Sequence, residues 1–488
     1  MAQQKKIQLK RELGYFWGTD FLIINIIGAG IFVSPKGVLE YSCMNIGIAL
    51  CVWIVCAILS LTNSLCFVEI SVTFPCSAAH YFFLKRCYGS MASFLRVWTS
   101  IFLGPAMTAG HALMLTEYGL QPFYPSCVTP NLPKKCVALA ALWMVGFLNC
   151  RGIKEMTWLQ MASTVLKISI LSIISLSGVF ILVRGRRKNI EKLQNIFDGD
   201  IPDISQIIEA IFQGYFAFSG GGCITFIAGE LKEPSKTIPK CVLMAVPLVT
   251  VVYLLADISY LTVLSPREIL SSGTVAMTWT ANMIPQLTRI VPFAISASLL
   301  SNIMINVIEV SRIFLIAGHL DQLPLLFKTL NIHSSPFIPV LVNVIMASFL
   351  IASASLMELI NYVYFVSSIW TTLIMIGILK LRYQEPNLHR PYKVSLPFVF
   401  ITIAICMCLV LIPLIKSPKM HYIYVTLFIF SGLLLYIPFT RFKLKLVWVE
   451  KLTCYLQLLF NICIPDEPDK LMLEIETYSH LDQVPNKD

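Results

Sequence analysis

Long apolar runs divide this chain, and they constrain its fold more than any other feature. Each run approaches the roughly 20 residues that an α-helix needs to cross the hydrocarbon core of a bilayer. Hydrophobic residues make up 57% of the chain and charged residues 13%, against about 25% charged residues in an average soluble protein. We therefore predict an all-α membrane protein of twelve transmembrane helices, without room for a large soluble catalytic domain. The predicted spans are 17–42, 46–68, 92–118, 136–150, 158–183, 206–230, 241–263, 290–317, 337–355, 358–380, 396–415 and 421–439.

The distribution of charge orients these spans. The net charge is +10, and lysine and arginine concentrate on the cytoplasmic loops of membrane proteins. The N-terminal segment 1–16 is basic, and an even number of spans returns the chain to the same side, so both termini are predicted to be cytoplasmic. After the membrane domain, 17–440, residues 441–465 favour an amphipathic helix in the membrane interface. Residues 466–488 are predicted to form an acidic cytoplasmic tail.

Two glycine clusters interrupt predicted spans. A Gly-Ala-Gly sequence at 28–30 lies in span 1, and three glycines at 220–222 lie in span 6. Glycine costs about 1 kcal/mol relative to alanine inside a helix, so both clusters favour a break, although a single Gly-Ala-Gly is also typical of close helix packing in membranes. The clusters fall in the first members of two consecutive sets of five spans. This favours an inverted repeat of residues 17–183 and 206–380, followed by two further helices at 396–439.

A pair of broken helices offers a binding site for a molecule with two charges. The backbone N–H groups freed at the start of one half-helix attract a carboxylate, and the carbonyl groups freed at the end of the other attract an ammonium group. An α-amino acid carries both groups on one carbon. The two breaks therefore predict an amino acid site near the middle of the membrane, of the kind that inverted-repeat transporters use.

Several short motifs are similar to those of a known family. They are Gly28-Ala29-Gly30-Ile31-Phe32-Val33-Ser34-Pro35, Gly229-Glu230-Leu231-Lys232-Glu233-Pro234, Thr237-Ile238-Pro239, Ser311-Arg312, Gln322-Leu323-Pro324 and Arg390-Pro391-Tyr392-Lys393. Together they resemble the light chains of heteromeric amino acid transporters over essentially the whole chain, and within that family the branch that transports aspartate, glutamate and cystine. The resemblance implies a LeuT/APC-type fold of five plus five helices in an inverted repeat with two C-terminal helices. It also implies sodium-independent exchange of amino acids without a cofactor.

The resemblance further implies which residues bind the substrate. The backbone amides of span 1 would bind the substrate carboxylate, and Phe216 would close over the bound molecule as a gate. Ala29 stands where some relatives have a serine, so one hydroxyl contact is absent. The implied substrate-binding residues are Ile27, Gly28, Ala29, Gly30, Ile31, Phe216, Ser219, Gly220 and Gly221.

Lys167 is a charged residue in the otherwise apolar span 5. A lysine deep in a membrane costs about 3 kcal/mol unless a partner or water meets it, although a long side chain near a span end can also extend to the interface. Lys167 resembles the family lysine whose ammonium occupies the sodium site of sodium-coupled relatives. That role would support exchange without sodium.

Other polar residues in the spans favour structural roles. Glu309 and Arg312, three residues apart in span 8, are spaced to pair on one face of a helix. His111 is interpreted as a core histidine with satisfied hydrogen bonds. Arg96 is assigned to a cytoplasmic segment, and no arginine without an evident partner is expected at the middle of a span. The acidic residues near span ends, where exposure or packing explains them, are Asp257, Glu117 and Glu69.

The cysteines indicate a partner chain. Most of the 15 cysteines lie in predicted spans or cytoplasmic segments, where thiols stay reduced. Cys127, on the outer side between spans 3 and 4, matches the family position that forms a disulfide with a single-pass glycoprotein heavy chain of the rBAT type. An internal bridge from Cys127 to Cys136 is the alternative. The chain has no Asn-x-Ser/Thr sequence, which fits a glycosylated partner.

These observations predict a sodium-independent amino acid antiporter of the plasma membrane that works by alternating access, with aspartate, glutamate and cystine as substrates. The substrate preference comes from the resemblance alone. Exchange of neutral or cationic amino acids, and an amino acid sensor or channel without exchange, are the alternatives. An enzyme is not expected, because no nucleophile with a base is evident and the histidines and cysteines lack metal-ligand spacing. No metal site and no nucleic-acid partner are predicted.

Overall fold

The computed structural model describes residues 13–463 apart from several short segments. The segments outside the description are residue 29, 77–78, 125–129, 185–195, residue 198, residue 273, residue 289, residue 321, residue 334, residue 355, 417–419 and 438–446. The predictions for Ala29, Cys127 and the tail 466–488 therefore fall outside the described residues.

The described part of the chain is helical, and its only β-structure is two isolated bridges, Leu13 with Leu231 and Leu330 with Cys463. A helix at Val447–Phe460 lies within the segment 441–465, for which an amphipathic helix is predicted. In chain order the helices are α1 (Tyr15–Ile26), α2 (Gly30–Tyr41), α3 (Ile46–Thr73), α4 (Ala79–Tyr88), α5 (Ser90–Leu120), α6 (Asn131–Arg151), α7 (Ile153–Val183), α8 (Ile204–Ala217), α9 (Ile224–Ile227), α10 (Pro234–Val263), α11 (Pro266–Ser271), α12 (Val275–Met283), α13 (Ile290–His319), α14 (Phe337–Ser353), α15 (Leu356–Gln384), α16 (Leu396–Lys416), α17 (Met420–Tyr436) and α18 (Val447–Phe460).

A helix or a bent helix pair stands at each of the predicted spans, with ends that differ mostly by a few residues. By length and apolarity alone, six of the described helices are long enough to cross a membrane, or eight if each of two bent helix pairs counts as one span. Shorter apolar helices lie at Phe337–Ser353, Leu396–Ile412 and Val425–Tyr436. The all-α prediction is therefore confirmed for the described residues, and the number of twelve crossings stays a prediction.

Helix α4 is absent from the sequence prediction. Its ten residues are too few to cross a membrane, so a search for apolar runs of about 20 residues misses it. In the fold it is buried, with His80, Tyr81 and Phe83 at most 2% exposed. It packs against α5 and α15, which brings His80 to the wall of the cavity described below. The short helices α11 and α12 escape the same search for the same reason.

The acidic residues near the predicted span ends have three different environments. Glu69 is 3% exposed and accepts hydrogen bonds from Nε, at 3.0 Å, and Nη2 of Arg382, so packing and pairing explain it. Glu117 pairs with Lys134 at 2.5 Å on a partly exposed surface. Asp257 is buried, and neither of its carboxylate oxygens has a hydrogen-bond partner among the described residues.

A hydroxyl group of α10 aligns the ends of α1 and α8. Helix α1 packs on α10, and α8 packs on α2 and α3. The hydroxyl of Tyr253, a fully buried residue of α10, lies 3.1 Å from the carbonyl oxygen of Ile26 and 3.2 Å from that of Ala217. One hydroxyl therefore serves the last carbonyl of both helices and fixes where they end relative to each other.

Candidate functional site

The first break separates α1 from α2, whose axes differ in direction by 45°. Helix α1 ends at Ile26, and the N–H groups of Ile27 and Gly28 bond to carbonyls in its last turn. Helix α2 begins at Gly30. A Cβ at Gly30 would lie 3.0 Å from the Cβ of Ala217 and closer still to its Cα. Glycine at this position therefore lets the start of α2 contact the end of α8.

The second break follows α8, which ends at Ala217. The N–H groups of Phe218 and Ser219 bond to carbonyls in the last turn of α8, and the chain then bends by 45° into Gly221–Glu230. Gly220 has a φ of +111°, a backbone conformation that is strained for residues with a Cβ. The glycine at 220 therefore permits the change of direction.

A cavity of about 290 Å³ lies between the two breaks and helices α5, α13 and α15. Ile27 and Ile31 do not line it, because both side chains are buried in the core. Gly221 does not line it either and faces the Ser64 hydroxyl. The predicted substrate-binding residues that do line the cavity are Gly28, Gly30, Phe216, Ser219 and Gly220.

Lys167, on α7, is 1% exposed and contacts the first break. Its Nζ donates to the carbonyl of Ile24 at 3.0 Å, to the carbonyl of Ile27 at 2.7 Å and to Oδ1 of Asn302 at 2.5 Å. These contacts use all three donors of an ammonium group. The alternative in which Lys167 extends to the membrane interface is therefore wrong, and the side chain bridges α1 and α13.

The sequence is similar to known proteins along most of its length. A family profile described as amino acid permease matches residues 15–439. The chain belongs to the amino acid permease family. The protein is thus a multi-span membrane transporter of amino acids, as the motifs predict, and this family agrees with the expectation that it is not an enzyme.

Individual relatives cover most of the permease. Solute carrier family 7 member 13 of the mouse is 67% identical over 469 residues, which are 96% of this chain and 98% of that one. Its human counterpart is 62% identical over 466 residues, 96% of this chain and 99% of that one. The large neutral amino acids transporter small subunit 2 of the mouse is 32% identical over 414 residues, 84% of this chain and 78% of that one. These relatives confirm the family that the motifs indicate.

The predicted pairing of Glu309 with Arg312 in this permease is wrong. The Arg312 Nε donates to Glu230 at 2.6 Å, and both side chains are at most 3% exposed. Glu309 instead accepts a hydrogen bond from the Asn25 amide at 2.8 Å and lines the cavity. A pair three residues apart on one helix is worth only about 0.5 kcal/mol, so partners on other segments of the chain can replace it.

Helix α13 presents a polar face to the permease cavity that the sequence analysis missed. Asn302, Asn306 and Glu309 line the cavity, and their spacing of four and three residues places them on one helix face, a signal readable from the sequence. His111 lines the cavity too. Its Nδ1 is 2.8 Å from the Met107 carbonyl oxygen and 3.1 Å from the Asn306 amide nitrogen. His111 is therefore hydrogen-bonded as expected but is not a core residue.

Arg96 lines the permease cavity, which the sequence did not predict. It lies near the start of α5, and its placement on the cytoplasmic side stays a prediction. Its Nε and Nη1 are buried without a hydrogen-bond partner among the described residues, and its guanidinium carbon lies 5.7 Å from the centre of the Trp370 ring. Arg96 stands close to the start of the span, where basic residues are usually cytoplasmic, so its sequence position does not indicate a cavity residue.

Proposed function

We propose that this permease is a sodium-independent antiporter that exchanges aspartate, glutamate and cystine across the plasma membrane by alternating access. Its twelve spans form two inverted repeats with two C-terminal helices, and both termini are cytoplasmic. The substrate binds between the two breaks near the middle of the membrane. The observation that carries the proposal is the environment of Lys167, whose Nζ donates to two backbone carbonyls near the first break and to Asn302. It supports an ammonium group in the place of a coupling cation.

The ammonium of Lys167 is held by oxygen atoms of the kind that bind a sodium ion. Two are backbone carbonyls next to the first break, of Ile24 and Ile27, and one is the side-chain oxygen of Asn302. Unwound carbonyls at broken helices bind sodium in transporters of this architecture. An ammonium fixed among these oxygens leaves no place for an ion of the same charge. This supports exchange driven by amino acid gradients alone.

Groups at the two breaks match the two charges of an α-amino acid. Helix α2 begins at Gly30, and the partial positive charge at the start of a helix favours the substrate carboxylate. The carbonyl groups where α8 ends and the carboxylate of Glu309 favour the substrate ammonium. Phe216, on the cavity wall, is the gate over the bound molecule.

The charges on the cavity wall favour two classes of substrate. Arg96 favours amino acids with an additional carboxylate, such as aspartate, glutamate and anionic cystine. Glu309 favours the alternative, in which neutral or cationic amino acids are exchanged. We assign Glu309 to the ammonium group that every amino acid carries, which leaves Arg96 to select acidic substrates.

A second chain completes the proposed transporter. The name of one relative calls that protein a small subunit, which supports an assembly of two chains. We assign Cys127, outside the described residues, to a disulfide with a single-pass glycoprotein heavy chain of the rBAT type. Cys136 is exposed at the start of α6, so the internal bridge stays an alternative.

Uptake into proteoliposomes tests the proposed function. Labelled aspartate, glutamate, cystine, leucine and lysine are supplied with and without internal amino acid and with and without sodium. We expect uptake of the acidic amino acids and cystine that requires internal amino acid and is unchanged by sodium. Uptake of neutral or cationic amino acids instead would contradict the acidic preference but keep the exchange. Sodium-dependent uptake without counterflow would contradict the mechanism, and binding without transport would indicate a sensor.

A further inference from the structure

The cavity continues into a second region away from the two breaks. On α5, Met107 and Arg96 both line it, and a rise of 1.5 Å per residue separates their Cα atoms by about 16 Å. On α15, Leu359 and Trp370 line it with the same separation in sequence. The Cα–Cβ bonds of a helix tilt toward its N-terminus. Because Arg96 precedes Met107 on α5, the Cβ of Arg96 is directed away from Met107. The cavity is therefore elongated, with Arg96 and Trp370 at the end far from His111.

Three side chains in this second region have buried nitrogen atoms without a hydrogen-bond partner among the described residues. They are Arg96 at Nε and Nη1, Trp370 at Nε1 and His80 at both ring nitrogens, of which one carries the N–H donor of a neutral imidazole. All three line the cavity, and they belong to three helices that pack against one another, α5, α15 and α4. Buried polar groups without partners are rare in proteins and costly. Three together, facing one cavity, indicate a site for a hydrogen-bond acceptor.

The surroundings of this cluster favour an anion as the acceptor. The residues His80 and Trp370 are 2% and 4% exposed, and His80 packs edge-on against Phe226 with 4.8 Å between ring centroids. Glu309 is the only acidic side chain among the described residues that line the cavity, and Asn25 of the first broken span binds it. The guanidinium of Arg96 therefore has no carboxylate of the cavity wall as its neighbour.

We propose that His80, Arg96 and Trp370 form a second substrate site, which binds the carboxylate of an anionic amino acid as it passes between the cytoplasm and the breaks. A guanidinium donates two parallel hydrogen bonds to a carboxylate, and the indole and imidazole N–H groups add further donors. The Cα atoms of Met107 and Arg96 are about 16 Å apart along α5, which exceeds the length of aspartate or glutamate, so one molecule does not contact both ends of the cavity at once. This inference rests on the acidic preference in the proposed function.

Glutamate and glutamine, which have the same shape but different charge, test the second site. The permease is reconstituted with its heavy chain in proteoliposomes of known orientation, and KM is measured from the cytoplasmic face for both amino acids. In Arg96→Gln, loss of hydrogen bonds between charged groups is expected to raise the ratio of glutamate KM to glutamine KM by about tenfold or more. Trp370→Phe keeps an aromatic ring but removes the neutral indole N–H donor, so the ratio of the two KM values is expected to rise by about threefold.

Lys85→Gln is the matched control for general attraction of anions. Lys85 lies in the last turn of α4 and does not line the cavity, so its removal takes a positive charge from the same end of the molecule. We expect the ratio of the two KM values to stay at the wild-type value. The chemistry of the site allows two anions, chloride and the substrate carboxylate. Replacement of chloride by isethionate distinguishes between them. If the difference between wild type and Arg96→Gln disappears without chloride, the site binds chloride and the proposal is wrong.

The possible failures of this experiment are distinguishable. An unchanged ratio in Arg96→Gln overturns the second site, and so does an equal rise of both KM values, which would assign Arg96 to folding. Arg96→Lys, which keeps the charge, should recover part of the glutamate affinity. If Arg96→Gln does not assemble with the heavy chain, the glutamate and glutamine KM values of Arg96→Lys test the second site instead. If the wild type itself exchanges glutamate no better than glutamine, the acidic preference fails first, and this proposal falls with it.

Discussion

Lys167 and Arg96 are both basic side chains in the interior of the permease, but only Lys167 has its hydrogen bonds satisfied. The Lys167 ammonium donates to two carbonyls and one amide oxygen. Arg96 lies on the cavity wall with two donor nitrogens unpaired among the described residues. Lys167 is 1% exposed, and protein groups offset the cost of burying its charge. Arg96 is partly exposed, and only its two unpaired nitrogens are buried. The comparison predicts that a basic side chain with open hydrogen bonds, rather than one that is simply buried, marks a ligand site.

Arg312 belongs with Lys167 in this comparison. Its Nε donates to Glu230, so the protein supplies its counter-charge. We expect removal of a satisfied group to damage the fold or the transport cycle. Removal of Arg96 should damage recognition instead. The predictions below test this division, from the largest expected effect to the smallest.

Lys167→Ala should have the largest effect. The change leaves two carbonyls and the Asn302 side-chain oxygen without their donor in an apolar interior, at about 1–3 kcal/mol for each group. We expect exchange to fall by about 100-fold or more, measured as counterflow in proteoliposomes. Lys167→Met, with a side chain of similar length but no charge, should fail equally. Near-normal exchange by either variant would remove Lys167 from the mechanism.

Sodium binding to the Lys167→Ala variant is a second test of the role of Lys167. With the ammonium absent, the same three oxygens become free to bind a cation of the same charge. We expect sodium, but not choline, to raise the thermal unfolding temperature of Lys167→Ala and to leave that of the wild type unchanged. An equal response of the two proteins would contradict the assignment of Lys167 to a cation site.

Arg312→Met should have the next largest effect, on stability. The change leaves Glu230 as a buried charge without its partner, which costs about 3–5 kcal/mol in known cases. The double variant Arg312→Met, Glu230→Leu should recover much of the loss, because replacing both partners leaves no unpaired charge. Thermal unfolding in detergent measures both variants. A single variant as stable as the wild type would show that the ion pair does not support the fold.

Tyr253→Phe should have a smaller effect, on the alignment of the two breaks. The variant loses the hydroxyl shared by the carbonyls of Ile26 and Ala217, at about 1 kcal/mol. Tyr260 is the matched control on the same helix, since its buried hydroxyl has no partner among the described residues. Tyr260→Phe should therefore not lower the unfolding temperature. Equal losses in the two variants would contradict the role of the Tyr253 hydroxyl.

The parts of the fold that the sequence predicts are those set by local composition. Apolar runs locate the long helices, because a helix that crosses a membrane needs an apolar surface. Glycine locates the two breaks, and Gly30 and Gly220 each stand where a Cβ would clash or strain the backbone. The motif that includes Gly30 also helps to identify the family, and Gly28, Phe216 and Ser219, which the family resemblance implies as site residues, line the cavity.

The parts that sequence reasoning missed depend on contacts between distant segments. Glu309 bonds Asn25 rather than the nearby arginine, and the Tyr253 hydroxyl reaches two helix ends that no spacing rule connects. Arg96 stands near the start of an apolar run, so charge alone favours a cytoplasmic position. Only the packing of α4 and α15 against α5 turns Arg96 into a cavity residue.

Arg96→Gln should have the smallest effect on stability. No hydrogen bond to Nε or Nη1 is lost, and a buried polar nitrogen without a partner is costly to the folded state, so its removal does not lower the stability of the fold. We expect the unfolding temperature without substrate to stay within the shift of about 0.5 kcal/mol typical of a neutral substitution. Saturating glutamate should then raise the unfolding temperature of the wild type more than that of the variant, because a ligand stabilises in proportion to the logarithm of its affinity. If Arg96→Gln instead unfolds as readily as Arg312→Met, Arg96 supports the fold, and the distinction between the two kinds of basic side chain fails.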